Sequence, residues 1–341
     1  MNKQDSTKQA DTERPNRLID KFGRKHNYLR ISVTDRCNLR CVYCMPAEGI
    51  TLRKKNELLT FEEIYKVAKV FVALGIDKIR ITGGEPLVRR DLEILIAQLA
   101  SLPGLKHLAM TTNAVLLADK ALALKKAGLQ SVNISLDSLR ADRFKTITLR
   151  DDFERVLAGI DAAESAGFSP IKLNVVVMKG RNDDEVLDFV HYAKDRDINV
   201  RFIEYMPFKD NHWDLASVFS FKEMREAIEK EFKLEALPGQ ASDVAKDFAV
   251  VGKRARVSFI SSMTDSFCAA CNRLRMTADG SIKSCLFYDA EINMRERLRS
   301  LCSDGDIEEM VLYALANKPE EHPPMEELAL MSNRSMVEIG G

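Results

Sequence analysis

Two groups of cysteines carry the chemistry this sequence could perform. Cys37, Cys41 and Cys44 fall in the run Arg30-Ile-Ser-Val-Thr-Asp-Arg-Cys37-Asn-Leu-Arg-Cys41-Val-Tyr43-Cys44-Met-Pro; Cys268 and Cys271 are followed by Cys285, with Asn272-Arg273-Leu274-Arg275 in the gap. Three thiolates on a short loop can wrap one metal centre, and soft sulfur suits zinc or iron–sulfur. Neither group has a fourth cysteine beside it, and no His follows the first at zinc-finger spacing. A structural zinc is normally closed by four protein ligands. A cubane held by three leaves one iron open for a small molecule. A zinc site borrowing a distant ligand remains the alternative for the first group, and a zinc ribbon short of one ligand for the second. Arg273 and Arg275 alternate on one strand arm and share a side, a pairing suited to gripping phosphate. Cys302 has no motif around it and reads as a free thiol.

The elements that must position these groups alternate. Strands are expected at Leu29–Thr34, Lys78–Thr82, Leu108–Thr112, Ser131–Leu136, Lys172–Met178 and Val200–Tyr205. Helices are expected at Phe61–Leu74, Asp91–Leu102, Ala118–Ala127, Asp152–Ala166 and Asp184–Asp195. Thr60 with Glu63 forms a capping box and Gly75 ends the first helix. Six strands alternating with helices predict an α/β fold with a parallel sheet and right-handed crossovers, either a partial barrel or a doubly wound sheet. After about Trp213 the rhythm breaks. A helix over Phe221–Phe232, antiparallel strands at Val250–Arg254 and Arg256–Ile260, a hairpin turning at Asp279-Gly280, and helices near Glu291–Ser300 and Asp306–Asn317 predict a smaller second unit. The expected division is a disordered tail over 1–20, a barrel over 21–209 and a C-terminal unit over 210–341.

The strands share one odd feature: Arg30, Arg80, Lys172 and Arg201 interrupt apolar runs. Alternate strand residues share a face. Arg30 therefore groups with Ser32 and Thr34, Lys78 with Arg80 and Thr82, Lys172 with Asn174, and Asn133 with Ser135 and Asp137. One sheet face is polar and basic, the other apolar and packed on helices. Unpaired buried cations are costly, and a polyanion between them would remove that cost. Strand-end cations that snorkel to solvent are the plainer alternative.

Composition bounds the partners. The 341 residues balance 51 basic against 51 acidic residues, so no global field holds a nucleic-acid backbone. No apolar stretch approaches a membrane span, and Met1–Arg17 lacks the apolar centre of a signal peptide. A cytoplasmic protein is expected, with no membrane or nucleic-acid partner. In that reducing compartment the seven cysteines point to metal or redox chemistry rather than disulfides.

Cys-x3-Cys-x2-Cys with Tyr43 before the last cysteine, followed by Ile-Thr82-Gly83-Gly84-Glu85-Pro86 after the second strand, resembles the radical S-adenosylmethionine superfamily. The string Phe-Cys268-Ala-Ala-Cys271-Asn-Arg-Leu-Arg275, the Ser-Val-Thr-Asp-Arg-Cys segment and the closing Gly340-Gly341 are similar to the GTP 3′,8-cyclase family, which begins molybdenum cofactor biosynthesis. The likeness runs from about Phe22 to the end. It departs at Ala114, where that family usually has Gly; a positive φ there would strain Ala.

The resemblance implies a partial (β/α)6 barrel and two 4Fe–4S clusters, on Cys37, Cys41 and Cys44 and on Cys268, Cys271 and Cys285. It implies S-adenosylmethionine contacts at Tyr43, Gly84, Ser135 and Met206. GTP would be held by Arg30, Lys78, Arg80, Thr111, Lys172, Arg201, Arg273, Leu274 and Arg275, with the guanine on the second cluster's open iron. The implied chemistry is a 5′-deoxyadenosyl radical taking hydrogen from ribose C3′, followed by ring closure onto guanine C8. An electron-donor protein, a downstream cyclic pyranopterin synthase, a homodimer and a Gly-Gly end reaching the active site are also implied. A two-cluster peptide-modifying enzyme of the same superfamily and a zinc-stabilised nucleic-acid-binding module are the rival readings; Arg-Leu-Arg between the ligands favours a nucleotide, and the balanced charge disfavours the binder.

Overall fold

The structure, a computed structural model, describes residues 17–265, 267–288, 291–331 and 334–340. Most of the expected N-terminal tail, Ser266 and Gly341 lie outside the described residues. Residues 17–20 are not a loose tail: Leu18 is fully buried, Ile19 bridges to Lys25, and Asp20 pairs with Arg24 at 2.6 Å.

Twelve strands form one sheet among the described residues. They are β1 (Tyr28–Ser32), β2 (Lys78–Thr82), β3 (His107–Thr112), β4 (Ser131–Ser135), β5 (Ile171–Val177), β6 (Ile198–Glu204), β7 (Leu234–Ala236), β8 (Lys246–Val250), β9 (Arg256–Ile260), β10 (Arg273–Met276), β11 (Ser281–Lys283) and β12 (Glu291–Asn293). Their order is β12-β11-β10-β1-β2-β3-β4-β5-β6-β9-β8-β7. β1 to β6 are parallel neighbours in chain order, the strand row of a partial TIM-type barrel. β10 adds in parallel beside β1 and β9 in parallel beside β6, so the segment after residue 210 extends both edges of the barrel sheet. Val257, Phe259 and Leu274 join the same apolar core as the barrel strands.

The helices are α1 (Phe61–Leu74), α2 (Leu92–Ala100), α3 (Ala121–Lys126), α4 (Ala141–Thr148), α5 (Phe153–Ser165), α6 (Val186–Ala193), α7 (Phe221–Glu229), α8 (Arg295–Arg299), α9 (Asp304–Ala316), α10 (Met325–Leu330) and α11 (Met336–Ile339). α1 starts at the expected capping box: the Glu63 N–H donates to Thr60 Oγ1 (3.2 Å) and the Thr60 N–H to the Glu63 carboxylate (2.8 Å). It ends at Gly75 with φ +121°. No helix among the described residues is long and apolar enough to cross a membrane.

The departures have local causes. The strand expected at Val250–Arg254 lies earlier, at β8, because Gly252 at φ +74° turns the chain into β9. The helix expected from Glu291 begins only at Arg295. Glu291 instead reaches Lys283 across the β11–β12 pair (3.0 Å), an ion pair that fixes a strand. α4 and β7 were not expected: α4 is short and polar outside Phe144 and Ile147, and β7 has one buried residue.

Candidate active site

The two-residue period sorts each barrel strand. Leu29 and Ile31, Ile79 and Ile81, Leu173 and Val175, and Val200 and Phe202 are buried in the core. Their neighbours Tyr28 and Arg30, Lys78 and Arg80, Lys172 and Asn174, and Asn199 and Arg201 line one cavity of about 390 Å³. β10 repeats the pattern: Arg273 and Arg275 face the cavity, while Leu274 is fully buried in the opposite core. The Leu274 side chain is therefore not part of the cavity wall, although it was expected among the substrate contacts.

The cavity is graded along the strands. Its cations sit in the lower and middle parts of the strands. The upper rim comes from loops after their C-terminal ends, where barrel active sites lie. Cys37, Cys41, Tyr43 and Cys44 follow β1; Gly83, Gly84 and Glu85 follow β2; Asn113 follows β3; Asp137 follows β4; and Met206 follows β6. Thr111 and Ser135 line the wall between. All the expected contacts for S-adenosylmethionine, and every expected triphosphate contact except Leu274, meet around one space.

Close packing brings the rim together. A Cβ on Gly84 would lie 2.4 Å from the Arg36 carbonyl, and one on Gly83 2.8 Å from that of Thr34. The Gly84 and Glu85 N–H groups donate to Thr34 (2.7 Å) and Arg36 (2.8 Å), so the glycine turn is docked on the cysteine loop. Glu85 accepts from Thr112 Oγ1 (2.7 Å) and from the N–H groups of Asn113 (2.7 Å) and Leu87 (2.9 Å). Asn113 Nδ2 reaches Cys37 Sγ at 3.8 Å. Tyr43 Oη donates to Asp137 (2.8 Å), which also accepts from the Val176 N–H (2.8 Å). Burial pushes the Cys37 thiol up to about 11 and Asp137 up to about 6. Ala114 has φ +60°, the strained conformation expected for it.

The lower wall is electrostatically frustrated. Arg30 stands opposite Arg80 on β2 and opposite Arg275 on β10. Burial, then Arg275, hold Arg30 well below its ordinary value; burial, then Arg201, Arg80 and Lys78, bring Lys172 to about 8. Burial would raise Tyr28, but Arg80, Arg30 and Lys78 bring it down to about 7. Arg80 Nε donates to the Tyr28 hydroxyl and Nη1 to Thr111 (3.3 Å). Arg30 Nε, Arg201 Nε, Arg275 Nη1, Asn133 Oδ1 and Asn174 Oδ1 are buried without a hydrogen-bond partner. Unsatisfied buried guanidinium groups are expensive, and together they describe a wall shaped for an anion.

The second cysteine group lies beside the cavity rather than in its wall. Phe267, Asn272 and Leu286, the neighbours of Cys268, Cys271 and Cys285, line the space while the three cysteines do not. Arg273 Nη2 reaches Cys271 Sγ at 3.9 Å, and burial, then Arg273, bring Arg275 down to about 10. The C-terminal segment closes the rim: Met336 lines the cavity, and Gly340 (φ +85°) is so close that a Cβ would lie 2.6 Å from that of Ser32.

Tyr28 is not among the expected contacts, although its alternation with Arg30 places it on the basic face. Glu85 has no expected role beyond its place in the Gly-Gly-Glu-Pro motif. Asp243, in the loop between β7 and β8, and Asp247, on β8, also line the cavity; no motif marks them.

Residues 31–193 match the family model described as Radical SAM superfamily, and residues 198–324 that described as Molybdenum Cofactor Synthesis C. The chain is 48% identical over 325 residues to the mitochondrial GTP 3′,8-cyclase of Arabidopsis thaliana, covering 95% of this chain and 83% of that one. It is 45% identical to the GTP 3′,8-cyclase of Petrotoga mobilis, covering 95% of this chain and 100% of the relative. This chain belongs to the GTP 3′,8-cyclase family. Against molybdenum cofactor biosynthesis protein 1 of Bos taurus it is 48% identical over 94% of its own length but spans 51% of that protein. In fold, this GTP 3′,8-cyclase family member is similar to the crystal structure of Streptococcus suis SuiB bound to precursor peptide SuiA (TM-score 0.61, 15% identical, 84% and 67% of the two chains) and to the solved structure of anSMEcpe with bound AdoMet (TM-score 0.57, 16% identical, 89% and 80%).

Membership of the radical S-adenosylmethionine superfamily implies one 4Fe–4S cluster and S-adenosylmethionine. Among the described residues no three Cys, His, Asp or Glu side chains converge on a single metal ion, but the donor chemistry suits a larger cluster: Cys37, Cys41 and Cys44 on one loop line the cavity, docked on a glycine turn that leaves no room for a side chain, with Tyr43, Ser135 and Met206 alongside.

Proposed function

We propose that this chain converts GTP to (8S)-3′,8-cyclo-7,8-dihydroguanosine 5′-triphosphate, the opening lyase step of molybdenum cofactor biosynthesis, with a 4Fe–4S cluster at each cysteine group. The observation that carries the reading is the set of buried, partly unpaired guanidiniums on the wall of the same cavity that the first cysteine group rims.

Cys37, Cys41 and Cys44 would hold the first cluster and Cys268, Cys271 and Cys285 the second. The cofactors, when bound, supply reductive cleavage of the sulfonium, hydrogen removal from ribose C3′, and an open iron for the guanine. Arg30, Lys78, Arg80, Lys172, Arg201, Arg273 and Arg275 bind the triphosphate low in the cavity, with Thr111 as a hydroxyl contact. That anchorage directs the ribose toward the rim, where Tyr43, Gly84, Ser135 and Met206 orient S-adenosylmethionine. Fixing both partners replaces an improbable encounter by a positioned one. Gly340 and Met336 help exclude water. A cytoplasmic location, an electron-donor protein, a cyclic pyranopterin synthase as consumer of the product, and a homodimer belong to the same reading.

The test is anaerobic incubation of reconstituted protein with S-adenosylmethionine, a strong reductant and GTP deuterated at C3′. A product isomeric with GTP, and deuterium in the 5′-deoxyadenosine, are expected. Unlabelled 5′-deoxyadenosine with GTP unchanged would overturn the reading.

A further inference from the structure

Behind the second cysteine group lies a second set of buried cations, outside the cavity. Lys318 follows α9 and is only 2% exposed. Its ammonium donates to the carbonyl of Arg273 (3.2 Å) and to that of Ser284. Arg273 lies just past Cys271, and Ser284 immediately precedes Cys285. One side chain thus ties together the two arms that carry these cysteines. Arg24 does the same for the third: its Nη1 donates to the Cys268 carbonyl (2.8 Å) and its Nη2 to that of Pro319 (2.7 Å), with Asp20 holding Nε at 2.6 Å.

Carbonyl contacts alone explain a donor at 318 but not a charge. A buried ammonium is disfavoured by desolvation unless an anion faces it, and both carbonyls that Lys318 bonds belong to residues flanking Cys271 and Cys285. Three thiolates around a cluster would supply the missing negative charge. A nearby cation stabilises the more negative, reduced state, and net charge and hydrogen bonding near the sulfurs set a cluster's potential.

We infer that Lys318 is a positioning residue for the second cluster: it fixes the arms of Cys271 and Cys285 and places a positive charge beside their sulfurs, retaining the iron and raising the site's reduction potential. The inference rests on the proposed reading that this cysteine group holds a cluster.

The experiment uses the full chain carrying Cys37→Ser, reconstituted without oxygen, so that the remaining iron–sulfur signal comes from the second group. Lys318→Met and Lys318→Arg are added to that parent. Two quantities are read: the potential, by titration followed with electron paramagnetic resonance, and the rate of iron loss to a chelator. Lys318→Met is expected to shift the potential negative and speed iron loss about tenfold or more, the scale of losing a supporting contact at a metal site. Lys318→Arg is expected to restore the potential but only part of the retention. A parent with no iron–sulfur signal overturns the two-cluster reading and the Lys318 assignment with it. A parent with the signal, and a Lys318→Met variant matching it in both quantities, overturns the assignment alone. Should Lys318→Met fail to fold, Lys318→Arg carries the test: a strongly negative potential despite the retained charge overturns the assignment.

Discussion

Arg30 and Arg80 lie directly opposite each other on the parallel strands β1 and β2, with Arg275 opposite Arg30 on its other side. Like charges so placed oppose folding, and Arg30 Nε has no partner to offset the cost. The empty protein is thus destabilised by the arrangement that would serve the loaded one. Arg30→Met is expected to leave the melting temperature of the empty protein unchanged or higher, while reducing the rise that GTP produces. Arg80→Ala should weaken GTP binding about 10–100-fold, the worth of one or two charge-assisted hydrogen bonds, with iron content and cleavage of S-adenosylmethionine retained. Calorimetry with and without GTP decides the matter. An Arg30→Met variant that melts lower when empty but keeps the full GTP shift would remove the anion role from this arginine.

The same crowding predicts a pH dependence with a definite sign. Tyr28 falls from 10.0 to about 7 and Lys172 from 10.5 to about 8. At each of these two groups the unfolded chain binds more protons than the folded one, so their contribution to the stability of the empty protein rises as pH increases from about 7 to about 9, while the buried Cys37 thiol, raised to about 11, opposes it above that. The contribution is lost as pH falls through the two folded values. Bound phosphates would pull both groups back towards their protonated forms, so GTP affinity should fall as pH rises above about 7. Tyr28→Phe should flatten the lower part of the stability rise. Melting curves of the wild type and of Tyr28→Phe between about pH 6.5 and about pH 9 test this: the wild type should gain on the variant as pH rises, and a difference independent of pH contradicts it.

At the rim, Gly84→Ala separates the role of the glycine turn from that of the strands. The new Cβ would meet the Arg36 carbonyl at 2.4 Å, and Arg36 immediately precedes Cys37. The clash is with backbone, so the turn and the cysteine loop must part. The first cluster should be lost while the second group, far along the chain on the segments flanking β10 and β11, keeps its iron, leaving about half the total if each site holds one cubane. Iron analysis and the spectrum of anaerobic protein report the result. A Gly84→Ala variant with full iron and normal 5′-deoxyadenosine formation would show that this close approach is dispensable.

How much of this was legible beforehand depended on period and on distance along the chain. The basic face was readable because Arg30, Arg80, Lys172 and Arg201 interrupt apolar runs at a period of two, and the sheet keeps that period. The same rule would have placed Tyr28 on that face and sent Leu274 to the core. The β12 segment reads as helix in the sequence because the pairing that makes Glu291 a strand residue, its reach to Lys283, is tertiary. Lys318 carried no signal at all: it lies far in sequence from the carbonyls of Arg273 and Ser284, and only the fold brings them together.

Ala114 shows how a strained residue is accommodated. At φ +60° it sits against Gly159 of α5, where an added Cβ would lie 2.4 Å from the Ala114 carbonyl and 3.0 Å from its Cβ. The absent side chain at 159 makes room for the turn that carries Asn113 to Cys37. Gly159→Ala is expected to cost about 1–3 kcal/mol, as overpacking of a tight contact does, and to loosen iron at the first group. Ala114→Gly should change stability little, since relief of left-handed strain, about 1 kcal/mol, is offset by the freedom glycine gains in the unfolded chain. Combining the two discriminates between the contacts. The Cβ–Cβ clash disappears in the double variant but the carbonyl clash persists, so most of the Gly159→Ala loss should remain. Full recovery of the melting temperature in the double variant would show instead that the Ala114 methyl, and not its carbonyl, requires glycine at 159.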